Sequence, residues 1–163
     1  MKAVPILHTA RCVLSEIRKE NMNTLREIVE DEQFQRFLPE LYTLVNSNEG
    51  LNHFVTTFDK YLSQGDGVLW GIHKDKSLIG FAALMDLTYE PCLFYALHPD
   101  YRYQGLAKES IMKVVEYFMV ASPNHFIQTE VHVDNKASIS ILKSCGFKEL
   151  LVKDGKMYLA CIS

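Results

Sequence analysis

A mixed α/β (α+β) fold, one sheet with helices on both faces, is predicted by three observations. Stretches with apolar residues at helical spacing alternate with stretches of strand-like composition, in the order β, α, α, β-β-β, α, β, α, β-β. Hairpin signals join neighbouring strands at 74–76 and at 154–155. The later part of the chain holds two strand–helix–strand units, which imply locally parallel strands.

Each element has its own signal. Residues 12–17 have strand-like composition. Asn21 precedes an amphipathic segment with Met22, Leu25, Ile28 and Val29 on one face. Leu51, Phe54, Val55, Phe58 and Leu62 repeat at helical spacing until Gly65-Asp66-Gly67, where glycine accepts a positive φ. Residues 68–73 and 77–87 read as a hairpin, and 92–98 as a third strand broken by Pro99. A long helix starts near Gly105 and carries Leu106, Ile111, Val114, Val115 and Phe118 on one face. Residues 126–133 read as a strand and 135–144 as a short helix ending at Cys145-Gly146. The last strands, 147–152 and 156–161, flank Asp154-Gly155, a strong turn pair.

With 163 residues and no linker, repeat or low-complexity tract, one domain is expected over 1–163. Hydrophobic residues at 48% and charged residues at 23% exclude disorder, collagen and coiled coil as the main reading. The longest uncharged apolar run, around 78–85, falls short of the roughly 20 residues a bilayer requires. The N-terminal Met1-Lys2-Ala3-Val4-Pro5 lacks a secretory apolar region, so a cytoplasmic protein is expected, with no membrane partner.

The net charge is −3, from 17 Lys plus Arg and 20 Asp plus Glu, and nucleic acid is not expected as a partner. Residues 1–98 carry 9 basic and 13 acidic groups, whereas 99–163 carry 8 and 7, so an anion would prefer the later part. Cys12, Cys92, Cys145 and Cys161 are widely spaced, which fits neither a zinc site nor a disulfide framework. Buried free thiols, and no metal, are the expectation.

The most informative stretch is Leu97-His98-Pro99-Asp100-Tyr101-Arg102-Tyr103-Gln104-Gly105-Leu106-Ala107. A strand ends, the chain turns, and a helix opens on glycine. The first helical turn has amides without intrahelical partners and carries the positive end of the dipole. Gly105 and the small Ala107 leave room for close approach, and Arg102 and Lys108 add charge. This is a diphosphate cradle. It is neither a dinucleotide fingerprint nor a P-loop, because G-x-G-x-x-G and G-K-[ST] are both missing, which disfavours a nucleotide-dependent oxidoreductase. A second group follows: Asn135, a good helix N-cap that could instead bond a ligand amide, and Ser138 one turn later. Gly146 and Phe147 have ordinary roles as helix stop and core.

These residues resemble the GNAT superfamily of acetyl-CoA-dependent N-acetyltransferases. Arg102-Tyr103-Gln104-Gly105-Leu106-Ala107 matches its pyrophosphate-loop pattern, and Asn135, Ser138 and Gly146-Phe147 match its second signature. Residues 9–14, 70–72 and 78–82 are similar to its first three strands, so the resemblance covers nearly the whole chain. The chain is most similar to the branch that acetylates N-terminal alanine or serine of ribosomal proteins. The Asn-x-x-Ser spacing and Glu109 favour that branch, although its members have varied acceptors.

The resemblance implies a mostly antiparallel sheet with a splayed parallel pair of strands. It implies acetyl-CoA as co-substrate, held at its diphosphate by Gln104, Gly105, Leu106, Ala107 and Lys108, with Arg102 beginning the loop. The main chain of Ala96 and Leu97 would pair with the pantetheine arm and polarise the thioester carbonyl. Asn135 would contact pantetheine, and Ser138 would lie near the sulfur. Relatives place an acidic tyrosine seven residues after the asparagine. Leu142 stands there in this chain, which moves the role toward Ser138.

The implied reaction is direct attack of a primary amine, on a peptide N-terminus or a small molecule, in a ternary complex. Amines with pKa near ~8–10 are mostly protonated at neutral pH, so a base must remove a proton, through water. Asp86, Glu90, Glu130 and His132 are candidates, and Glu130 is chosen. His98, Glu109, Tyr95, Tyr101 and Tyr103 are read as structural or rim groups. The acidic Glu27, Glu30, Asp31 and Glu32 could attract a cation or form a solvated face; Phe34, Phe37, Leu41 and Tyr42 could line an acceptor pocket or be core. A domain of the same fold that binds acyl-CoA without turnover is the alternative. The final hairpin offers an edge for a homodimer.

Overall fold

The computed structural model describes residues 2–122 and 126–162. The expected domain, 1–163, thus includes positions 1, 123–125 and 163 that lie outside the described residues. The strands are β1 (Leu7–His8), β2 (Val13–Ser15), β3 (Gly67–Lys74), β4 (Ser77–Met85), β5 (Cys92–Leu97), β6 (Phe126–His132), β7 (Lys148–Lys153) and β8 (Lys156–Ile162). The helices are α1 (Met22–Val29), α2 (Glu32–Phe37), α3 (Pro39–Val45), α4 (Asn48–Gln64), α5 (Leu106–Ala121) and α6 (Lys136–Ser144). Among the described residues the strands form one sheet in the order β1-β2-β3-β4-β5-β6-β8-β7. Its described neighbours are antiparallel except β5 and β6.

The hairpin turns follow from backbone handedness. Asp75 and Lys76 lie at φ 50° and 68°, and Asp154 and Gly155 at 52° and 78°. Two consecutive left-handed residues match the right-handed twist of the flanking strands.

Both sheet faces are buried, which explains the near-continuous apolar run in β4. Phe81 and Ala83 join one face beneath α1 and α4, with Leu25, Ile28 and Phe58. Ala82 and Leu84 join the other beneath α5 and α6, with Ile111, Val114, Phe118 and Leu142. Fully burying one such large side chain contributes about 1.5–3 kcal/mol. The buried Trp70 satisfies its indole by donating to the Pro5 carbonyl at 2.8 Å.

Three elements depart from the sequence-based expectation. One strand is expected before α1, yet β1 pairs with β2 as well, Leu7 opposite Leu14. A two-residue strand is too short to show alternation. Two further helices lie between α1 and α4. Asp31 caps α2 by accepting from Gln33 N and Phe34 N, and Pro39 opens α3. Helices of six and seven residues barely complete two turns, so their periodicity is weak. The second strand–helix–strand unit gives β6 and β7 the same direction but does not pair them, because β8 inserts between them.

Candidate active site

The pairing of β5 with β6 registers only Cys92 opposite Gln128, supported by Thr129 Oγ1 donating to Leu93 O at 2.8 Å. β5 nevertheless continues along β4 as far as Leu97 opposite Gly80. The strands therefore part beyond Leu93, and a cleft opens on each side of the splay. Thr129, Glu130, Phe94 and Phe37 line both clefts. Gly80 is required here: a Cβ on it would stand 2.4 Å from the Ala96 carbonyl oxygen.

The first cleft holds about 600 Å³. Its loop wall carries Arg102, Gly105, Leu106, Ala107 and Lys108. Ala96 and Leu97 border it from β5, Asn135 and Ser138 from α6, and Glu130 from β6. Gln104 is not part of the lining: its side chain donates to Asp100 O at 3.1 Å. Gly105 takes φ 78° as the residue before α5, and no side chain caps that helix. The first helical bond at this end is Glu109 N to Gly105 O at 3.1 Å, so the preceding amides remain available to an anion.

The Arg102 side chain turns toward the chain itself. Its Nη2 lies 2.5 Å from Asp31 Oδ2 and 3.2 Å from Leu97 O, which ties the loop to the start of α2. Asn135 has the capping role its position allows: Oδ1 accepts from Ser138 N at 3.3 Å. Leu142 is fully buried in the core, so α6 presents no acid there.

Two constellations escaped the sequence reading. The Tyr95 hydroxyl stands 2.6 Å from Ser138 Oγ, which joins β5 to α6 across the cleft. Burial pushes this phenol up to about 12 against the opposing hydrogen bond with Ser138. The other is a strut under the glycine loop. Arg11 donates from Nη1 to Gln104 O at 3.0 Å and from Nε to Glu109 Oε1 at 2.9 Å. Thr9 and the Arg11 amide donate to Glu109 Oε2. Burial works against ionisation of Glu109, but the bonds from Thr9 and Arg11 outweigh it and hold the carboxyl below its ordinary value. Arg11 lies 93 positions from Gln104, and no local pattern marks that distance.

Glu130 sits where the two clefts meet. Its Oε1 lies 3.2 Å from Lys156 Nζ, which also reaches Glu40 Oε1 at 3.0 Å. The hydrogen bond to Glu40 leads in raising the Lys156 pKa. Glu130 raises that of the Tyr158 phenol by its charge. His132 packs its ring against Phe37 at 5.5 Å, and Glu90 borders the second cleft. Asp86 sits at φ 55°. His98 caps the turn after β5 by accepting from Asp100 N, and its Nε2 lies 3.2 Å from Glu27. The four cysteines are unpaired; Cys12 is buried, while Cys92, Cys145 and Cys161 are partly exposed.

Residues 11–148 match the acetyltransferase (GNAT) domain family. The chain is 30% identical over 161 residues to the uncharacterized N-acetyltransferase YoaA of Bacillus subtilis (strain 168), which covers 94% of this chain and 89% of the relative. RimL, a ribosomal alpha-N-protein acetyltransferase solved with coenzyme A, shares the fold at TM-score 0.84 and 16% identity, over 97% of this chain and 98% of that one. RimJ of Mycobacterium smegmatis, solved with CoA-disulfide, does so at 0.78 and 15%, over 99% and 88%. The family match spans the glycine loop, the splay and Asn135 together, and on that ground the chain belongs to the GNAT acetyltransferase family, as an acetyl-CoA-dependent acyltransferase.

Proposed function

We propose that the enzyme moves an acetyl group from acetyl-CoA to a primary amine, on a peptide N-terminus or a small molecule, by direct attack with both reactants bound. The observation that carries this reading is the meeting of two clefts across the splay of β5 and β6, one walled by the uncapped start of α5. The fit to coenzyme A rests on that wall. Gly105 has no Cβ, and Leu106, Ala107 and Lys108 line the cleft at a helix start without a side-chain cap, where free first-turn amides and the Lys108 charge suit a diphosphate. The Gln104 main chain shapes the loop through Arg11, and Arg102 anchors it to Asp31.

Acetyl-CoA supplies the activated acyl group as a thioester. By register the Leu97 amide lies on the free edge of β5 and opposes the charge that develops on the acyl oxygen, whereas the Ala96 main chain is turned to Phe81 of β4 and Ala96 borders the arm's path. Asn135 retains its Nδ2 donors for the pantetheine arm while Oδ1 caps α6. Ser138 holds a hydroxyl for the departing sulfur, whose ordinary thiol pKa of ~8.5 makes it a tolerable leaving group. Glu130 faces both clefts and takes the amine proton through water.

The same reading makes 1–163 one catalytic domain and places it in the cytoplasm, a reducing setting that suits four unpaired cysteines. The β7 edge, where Leu150, Leu151 and Val152 are about half exposed, offers a pairing surface to a second copy. A thermal-shift titration with acetyl-CoA, followed by thiol release over a panel of amines, tests the function. Acetyl-CoA should raise the melting temperature, and Gly105→Glu should abolish the rise. Glu130→Gln should lower turnover with acetyl-CoA affinity kept. No melting shift, or a shift without transfer to any amine, would remove the reading.

A further inference from the structure

The second cleft holds about 780 Å³, within the range of small-molecule sites. Its two sides differ chemically. Glu40, Glu90 and Glu130 gather near β6 and β8, with Lys156 bridging Glu40 and Glu130. Among the described residues Glu90 is held by a 3.5 Å contact from Gln128 Nε2 alone, so carboxylate capacity remains there for a cation. The opposite side is apolar and aromatic: Leu41 from α3, Phe54, Phe58 and Tyr61 from α4, and Phe94 from β5. Phe54 and Phe58 meet edge to face at 5.4 Å, and Phe58 and Tyr61 at 5.3 Å, so this wall is a packed aromatic surface.

We infer that the acceptor is a primary amine bearing one bulky apolar group: its ammonium is drawn to the carboxylate side by the splay, and its body covers the wall of Leu41, Phe54 and Tyr61. The inference rests on the proposed acetyl transfer and names its substrate class. A polyamine, with slender methylene segments between its charges, would cover little of that apolar wall and gain little from its burial. A serine or alanine N-terminus would leave the aromatic wall uncovered. The shared chemistry has two sources, a free arylalkylamine or a chain that begins with a large apolar residue.

The test is a comparison of kcat/KM by thiol release. The apolar arms are phenethylamine and tryptamine, and tetrapeptides beginning with Phe or Leu; the polar arms are spermidine and a tetrapeptide beginning with Ser. At least one apolar arm should exceed both polar arms tenfold, and the arm that does so identifies the source. Leu41→Glu should lower that value about tenfold and raise the value for 1,5-diaminopentane, with KM for acetyl-CoA unchanged. Leu44→Glu, on the exposed rim of the same cleft, should shift selectivity the same way if Leu41→Glu does not fold. Acetyl-CoA binding with no preference for the apolar arms overturns this inference alone. Loss of acetyl-CoA binding in the wild type overturns the acetyl-transfer reading beneath it.

Discussion

The Tyr95 hydroxyl lies 2.6 Å from Ser138 Oγ, so the serine beside the first cleft is oriented by a strand 43 positions earlier in the chain. With its pKa pushed up to about 12 by burial, the phenol stays protonated through the physiological range, and either hydroxyl can donate in this bond. When the phenol donates, Ser138 is free to point its own proton elsewhere. In this arrangement Tyr95 is a positioning residue. Tyr95→Phe is expected to lower kcat about tenfold, the worth of one hydrogen bond of about 1.4 kcal/mol, while KM for acetyl-CoA stays put. In a Ser138→Ala background the same change should have no further effect. An equal loss in both backgrounds would show that Tyr95 acts only through packing.

Gly105 supplies a backbone shape as well as space. At φ 78° any side chain is strained by about 1–2 kcal/mol, and a Cβ would lie 3.3 Å from Arg11 Nη2. Gly105→Ala should lower the melting temperature by about 2–8 °C and weaken acetyl-CoA binding at least tenfold, read by calorimetry. A variant with wild-type affinity would separate the loop from the diphosphate.

Glu109 ties the start of β2 to the cofactor helix, and its depressed pKa makes that tie depend on pH. A carboxyl held below its unfolded value, ordinarily 4.5, stabilises the fold above that pH. The stabilisation fades as pH falls through the lower folded value. Denaturant midpoints of wild type and Glu109→Gln should therefore differ most near neutral pH and draw together as the pH falls below 4.5 through the lowered folded value. A gap that widens in acid would contradict the assignment.

Cys92 lines the second cleft, yet burial, reinforced by Glu130 and Asp86, pushes its thiol from 9.0 to about 11. Two pKa units cut the thiolate fraction roughly a hundredfold, and alkylation needs the thiolate. Iodoacetamide at pH 8 should label Cys92 slowly in the native protein and quickly in denaturant, as read by intact mass. Fast native labelling would mean that the cleft is more open to water than its lining implies.

Much of the fold was legible because its signals are local. The stripe from Leu51 to Leu62 announced α4, Asp154-Gly155 the last hairpin, and Gly105 after a strand and a proline the entry to α5. Of the expected cofactor loop, Gly105, Leu106, Ala107 and Lys108 line the first cleft. What stayed hidden was short or distant. β1 and α2 are too brief to display a period, and Arg11 meets Gln104 and Glu109 across more than 90 positions. The Tyr95–Ser138 pair had no sequence pattern, and the helical stripe that holds Phe54 and Phe58 gave no sign that it shares a cleft with Glu130.

Residue chemistry along the chain by itself determined the alternation of strands and helices, the glycine entry to α5 and the likeness to an acetyl-CoA-dependent family, because each rests on contacts within a few residues. Only the tertiary structure decided that β8 separates β6 from β7, that Arg102 is spent on Asp31, and that β5 and β6 part beyond Leu93 to open a cleft on either side. Those outcomes depend on which distant surfaces win the competition for burial and hydrogen bonds. That competition is settled by the packed whole, not by any one segment.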